Sequence, residues 1–203
     1  MLLLSTPSYG HEECNPAALM PSVYYIVVDD DGAFDTGSGV AISRDVILTN
    51  HHVVRAAIAD EENGVYVSTD IGDDYVELEA VIIEHDEDND IALLKVDGAN
   101  FKPAVFADEL PPKFSRVYAY GFPLGAAKTL TEGRYQQEHR NRILVTAPIA
   151  PGSSGGPIAT CVSGKPEVIG ISSIMLAAPN RVAYSFMGGA ISLDTIRTEY
   201  LEE

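Results

Sequence analysis

The sequence predicts an all-β protein built of short antiparallel strands arranged as a sandwich or barrels. Three observations predict it. Short runs rich in Val, Ile, Tyr and Thr recur throughout the chain, and Gly, Asp, Asn and Pro separate them. Helical periodicity is almost absent before the last dozen residues.

In order, residues 1–21 carry Pro7, Gly10, Pro16 and Pro21 with little periodicity, and read as an irregular arm. Six strands are then expected at Ser22–Asp29, Gly39–Ser43, Val46–Thr49, Gly64–Thr69, Tyr75–Ile83 and Ile91–Val96, enough for one antiparallel barrel. After Pro103, Pro111 and Pro112 a second six follow, at Arg116–Tyr120, Leu130–Gln136, Ile143–Ala147, Pro157–Val162, Val168–Ile174 and Val182–Met187. The expected units are therefore residues 22–106 and 107–203. Leu193, Ile196 and Tyr200 repeat at helical spacing behind Ser192, which predicts a closing helix capped by that serine.

The chain has 203 residues, 46% of them hydrophobic, which suits one compact unit or two small barrels sharing an interface. Its net charge of −17 argues against nucleic acid or an anionic membrane as partner, since a phosphate-binding face needs clustered Lys and Arg. Residues 60–90 hold thirteen Asp and Glu and no Lys or Arg, which reads as a solvated face. No apolar run approaches the ~20 residues of a membrane span, and Met1-Leu2-Leu3-Leu4 lacks the basic start and length of a secretory leader. A cytoplasmic protein is expected, or a periplasmic or secreted one if a leader was removed earlier. Cys14 and Cys161 cannot form a disulfide framework and read as free structural thiols in a reducing compartment.

One stretch carries the chemistry. Gly152-Ser153-Ser154-Gly155-Gly156-Pro157 sets a hydroxyl among glycines, as a serine nucleophile facing backbone N–H groups requires. A hydroxyl is a poor nucleophile unless a base takes its proton and a third group orients that base. Asn50-His51-His52-Val53-Val54, after the apolar run Val46-Ile47-Leu48, offers the base. Asn89-Asp90, opening Ile91-Ala92-Leu93-Leu94, offers the acid.

These segments, with Thr36-Gly37-Ser38-Gly39-Val40, resemble the chymotrypsin-like serine proteases. Ile47-Leu48-Thr49-Asn50, Asp90-Ile91-Ala92-Leu93-Leu94, Ala147-Pro148-Ile149-Ala150-Pro151-Gly152 and Glu167-Val168-Ile169-Gly170-Ile171 are most similar to the HtrA/Deg branch. The resemblance spans about residues 22–192 and selects two six-stranded antiparallel β-barrels from the all-β alternatives. It implies a serine endopeptidase with His52 as base, Asp90 as its partner and Ser154 as nucleophile. His51 competes with His52, and Ser153 with Ser154.

It further implies an oxyanion hole from Gly152, Ser153 and Ser154, in which the N–H groups of Gly152 and Ser154 converge. Ile149, Ser173, Met175 and Leu176 would line the pocket for the residue before the scissile bond, and that pocket would favour aliphatic side chains. The substrate would be protein or peptide, with no cofactor, no metal and no peptide-binding PDZ module; an oligomer is left open. Asp86, Asp88 and Asp90 alternate like the start of a calcium loop, but Ile91 stands where that loop needs Gly. Ser153 replaces the Asp that animal members use for activation, so order in the loop Ala147–Ser153 must come from neighbouring loops. Lys128–Arg142, with four basic residues, reads as a solvated hairpin or a regulator of that loop.

Overall fold

A computed structural model describes residues 14–30, 32–70, 76–177 and 183–200. The strands are β1 (Val23–Asp30), β2 (Ala33–Ala41), β3 (Val46–Thr49), β4 (Val65–Ser68), β5 (Leu78–Asp86) and β6 (Ile91–Lys95), then β7 (Arg116–Gly121), β8 (Thr129–His139), β9 (Arg142–Val145), β10 (Pro157–Val162), β11 (Lys165–Ala177) and β12 (Ala183–Ser192). Each six closes antiparallel on itself, in the orders β1-β2-β3-β6-β5-β4 and β10-β11-β12-β9-β8-β7. The expected double barrel is what forms.

β2 starts earlier than the sequence suggests. The expected strand began at Gly39, yet Gly37 also lies in the ladder, in register with Ile26 of β1, as Gly39 is with Tyr24. Cross-strand pairing overrides the weak strand preference of glycine. A short helix not expected from the sequence, α1 (Arg55–Ala59), follows the His51–Val53 turn and buries Ala57 on the first core. The closing helix, α2 (Leu193–Tyr200), forms as expected and buries Leu193 and Ile196 completely. Ser192 does not cap it: its buried hydroxyl has no hydrogen-bond partner among the described residues.

Ile26, Ile47, Val67 and Leu94 fill the first barrel, and Val117, Ile143, Val145 and Ile169 the second. A third apolar cluster joins Val40, Leu48, Ile91 and Leu93 of the first barrel to Tyr120, Phe122, Ile171 and Ile191 of the second. This seam lies where the two barrels meet, and its apolar packing fixes the relation of the two halves.

The arm is anchored where it is described. Asn15 caps a 3-10 turn at Pro16–Ser22 by accepting from Ala17 N–H, and Leu19 is buried in the seam. The expectation of two free thiols is overturned: Cys14 and Cys161 form a disulfide, with Cα atoms 6.1 Å apart. Their separation of 147 residues hid the pairing, which depends on the arm reaching Cys161 of β10 across the fold. Among the described residues no helix is long and apolar enough to cross a membrane.

Candidate active site

The two barrels contribute different kinds of part. Thr49 ends β3, and the chain turns through Asn50 into the His51–Val53 turn, which brings His52 over the β5–β6 turn. Asp90 closes that turn with a left-handed backbone (φ 60°), a conformation that Asp tolerates better than most residues. It is clamped from both ends. Asn50 Nδ2 donates to its carbonyl at 3.0 Å, and the backbone N–H of His52 donates to Oδ1 at 3.0 Å. His52 Nδ1 lies 2.9 Å from Oδ1 and 3.0 Å from Oδ2. A carboxylate can only accept, so Nδ1 carries the proton and Nε2 is left free as an acceptor.

Burial alone would raise the Asp90 carboxyl, but the hydrogen bonds from His52 and Ser173 outweigh it and hold the group below the usual carboxylate range. The His52 side chain is 39% exposed and Asp90 16%, so the imidazole can be reached while its carboxylate partner is shielded. His51 does not compete for Asp90. Its buried ring packs against His85, with centroids 5.3 Å apart. Asp86, first of the alternating acids, spends both oxygens on Asn89, accepting from its backbone N–H at 3.0 Å and its side-chain amide at 2.7 Å. That is a turn-forming role.

The nucleophile side is built from backbone. Ala150-Pro151-Gly152-Ser153 is a turn closed by Ser153 N–H donating to Ala150 O at 3.0 Å. Pro in the second place and Gly at φ 88° in the third are the type II pattern. The Pro151 carbonyl accepts from Leu124 N–H at 2.6 Å, and in a planar trans peptide this points the Gly152 N–H in the opposite direction. Among the described residues the N–H groups of Gly152 and Ser154 have no hydrogen-bond partner, so both can serve an oxyanion. Ser153 is the correction: its N–H is committed to Ala150, so it shapes the loop without being a donor.

Ser38 ties this loop to the first barrel. Its N–H donates to Ser154 O at 2.7 Å, its hydroxyl donates to Gly152 O at 2.7 Å, and the hydroxyl accepts from Phe122 N–H at 2.9 Å. The order expected from neighbouring loops thus has named sources in Ser38 and Leu124.

Ser154 Oγ donates to the backbone carbonyl of Ser173 at 3.5 Å, a marginal contact. The hydroxyl of the same Ser173 donates to Asp90 Oδ2 at 2.6 Å. One residue therefore touches both halves of the site, although no Ser154–His52 hydrogen bond is formed. Such contacts often tighten only with substrate in place. Ile149 is buried on the second core and reaches over Gly188. Met175 and Leu176 lie on β11, but their side chains are outside the described residues.

A cleft of about 400 Å³ beside the site is lined by His51, His52, Arg55, Glu87, Asp90, Arg142 and Ser173. Arg142 entered the sequence reading only as the end of the basic segment Lys128–Arg142, and Ser173 only as a substrate-binding residue. Their contact with each other and with Asp90 had no local signal, because it depends on β9 and β11 meeting the β5–β6 turn.

A family model for the trypsin-like peptidase domain matches residues 37–171. The chain belongs to that family. A probable periplasmic serine endoprotease, DegP-like, of Pseudomonas putida is 37% identical over 147 residues, covering 68% of this chain and 28% of that protein. The magnetosome formation protease MamE of Magnetospirillum gryphiswaldense is 31% identical over 182 residues, covering 82% of this chain and 22% of that protein. The chain thus spans under a third of the length of these relatives. Among solved structures, the active form of the Rv3671c protease from M. tuberculosis superposes with a TM-score of 0.74 at 25% identity, covering 98% of this chain and 91% of that one. The serine endoprotease from Yersinia pestis superposes at 0.73 and 27%, covering 89% and 61%.

Proposed function

We propose that this member of the trypsin-like peptidase family is a serine endopeptidase working through an acyl-enzyme. The observation that carries the reading is the His52–Asp90 pair, oriented with Nε2 free, beside a hydroxyl whose loop offers two unspent N–H donors. Ser154 Oγ attacks the scissile carbonyl while His52 Nε2 takes its proton. The oxyanion forms against Gly152 and Ser154 N–H, each such donor typically lowering the barrier by about 3 kcal/mol. His52 then protonates the leaving amine and activates water to release the acyl half. Asp90 stays ionised throughout and stabilises the imidazolium.

The substrate class follows from the same reading. Ile149, Met175 and Leu176 match the family's pocket positions and none carries a charge, so a charged side chain before the scissile bond would lose its hydration without a counter-charge from them. Aliphatic residues are the proposed preference. The disulfide between Cys14 and Cys161 supports an oxidising compartment such as the periplasm, in place of the cytoplasm first expected.

The test is labelling by a fluorophosphonate probe, with hydrolysis of a casein-like protein scored beside it. Wild type should label and turn over, and Ser154→Ala should do neither. A folded wild type that never labels would refute the reading. A latent or purely peptide-binding role has one observation on its side, the Ser154 hydroxyl resting on Ser173 O, away from His52. It would be favoured by peptide binding that Ser154→Ala leaves unchanged, with no turnover in wild type.

A further inference from the structure

We infer that Arg142 is a positioning residue of the catalytic machinery, acting on the His52–Asp90 pair through the hydroxyl of Ser173. The inference rests on the triad reading above. Arg142 Nη1 donates to Ser173 Oγ at 3.0 Å; Ser173 Oγ donates to Asp90 Oδ2 at 2.6 Å; His52 Nδ1 stands 2.9 Å from Asp90 Oδ1. The three links form one chain across both barrels, from guanidinium to imidazole.

The chain has a direction. A hydroxyl has one proton to give, and the Arg142 donor fills an acceptor position on Ser173 Oγ, so that proton is aimed at Asp90. A cation behind the hydroxyl also polarises it, strengthening the bond it donates. Asp90 then has its Oδ2 loaded by Ser173 and its Oδ1 by the backbone N–H and ring of His52. Its carboxyl accordingly sits below the usual range.

The position of Arg142 is built in. β8 and β9 are joined by the two-residue loop Arg140-Asn141, with φ values of 49° and 60°, the type I′ pattern that Asn favours. The loop fixes His139 opposite Arg142, and Asn141 O accepts from Ser192 N–H at 3.0 Å, tying the hairpin end to β12. Arg142 also pairs with Ile191 of β12, so it enters the site from a strand paired on both sides. Among the described residues it forms no ion pair, so its charge is not neutralised by a neighbouring carboxylate.

The other charged or titratable groups facing the pair are His51 and Arg55 from the following turn and helix and Glu87 from the β5–β6 turn. None of these three has a hydrogen bond to Ser173 or Asp90 among the described residues. Arg55 therefore supplies the control: an equal charge on the same rim, without the contact.

The measurement is the pH profile of kcat/KM. A cation held near the pair opposes positive charge developing on it, so its removal should move the acid limb of the profile up. For Arg142→Gln the expected shift is roughly half a pH unit, the scale of one charge several Å away at a wet protein edge. Arg142→Lys, which keeps the charge, should leave the limb in place, and Arg55→Gln should move it by less than half as much. Ser173→Ala provides a second route if Arg142→Gln fails to fold: in that background Arg142→Lys and Arg142 should give the same kcat, whereas with Ser173 present Lys should lower it about two- to fivefold, because a shorter and differently shaped donor reaches the hydroxyl less well.

An unmoved limb in folded Arg142→Gln overturns the inference, as does an equal shift in Arg55→Gln, or an Arg142→Lys effect that persists without Ser173. Fluorophosphonate labelling of wild type is run first. Absent labelling condemns the triad reading, while normal labelling with an unmoved limb condemns the role of Arg142 alone.

Discussion

The two halves of the site solve the same problem by opposite means. The first barrel presents His52 and Asp90 as side chains whose contacts are already made, with the acid clamped by Asn50, the His52 backbone and Ser173. The second barrel presents a backbone loop, in which Gly152 and Gly155 hold φ values of 88° and 84° and carbonyls are gripped by Ser38 and Leu124. On the proposed reading the His52–Asp90 side is therefore broken by removing atoms. The loop around Ser154 is broken also by adding them, because a Cβ at Gly152 would meet Phe122 O and one at Gly155 would meet Ser38 O and Thr49 Oγ1.

The sharpest break in this comparison comes from deleting the base. His52→Ala should lower kcat/KM by about 10⁴-fold or more, measured on a peptide ester or amide, with the melting temperature nearly unchanged. His51→Ala should stay within about tenfold of wild type in activity, because its ring faces His85, and equal losses in both variants would undo the assignment. Asp90→Asn, which keeps the shape and loses the charge, should cost about 10⁴-fold in kcat, on the scale of related triads.

On the opposite side, Gly152→Ala should reduce kcat by about 10²–10³-fold with little change in KM, since the oxyanion exists only in the transition state. A KM effect without a kcat effect would show that Gly152 acts in substrate binding. Gly155→Ala should act on folding first, by about 3 kcal/mol in urea titration, from its left-handed backbone and the crowding at Ser38 O.

Smaller effects separate stability from catalysis. Reducing the Cys14–Cys161 disulfide, or Cys14→Ser, removes a cross-link spanning 147 residues and should cost about 2–5 kcal/mol while leaving kcat unchanged, because the bond lies on β10 and not at the site. A large kcat loss in a folded variant would show that the arm supports the nucleophile loop through β10. Asp90 provides the smallest test. A carboxyl held low when folded contributes stability that is complete above its unfolded value of about 3.9 and is lost as pH falls from there through the folded value. The melting temperature of Asp90→Asn should therefore depend less on pH than that of wild type below about pH 4.

The difference between the halves also explains what could be read from the residues. Motifs signal chemistry when the reacting group and its support are neighbours in sequence: Pro151-Gly152 announces its turn, and Asn50 with His52 carries two of the three clamps on Asp90. Ser38 on β2, Leu124 in the turn after β7 and Arg142 on β9 support the same site from distant segments, and no spacing rule reveals their contacts. The Ser192 cap failed because a serine before a helix is a statistical preference, while here the hydroxyl is buried with no hydrogen-bond partner among the described residues.

By itself the sequence determined the alternation of short strands and turns, the closing helix, the order of the candidate His, Asp and Ser, and the glycines of the loop around Ser154. These are local properties, set by side-chain branching, period and backbone freedom. Only the tertiary structure decided which histidine meets Asp90, that Ser153 spends its N–H within the loop, that Cys14 pairs with Cys161, and that Arg142 reaches Ser173. Each depends on which strands become neighbours when the two barrels close and pack along their shared apolar seam, and residues far apart in the chain carry no local trace of that meeting.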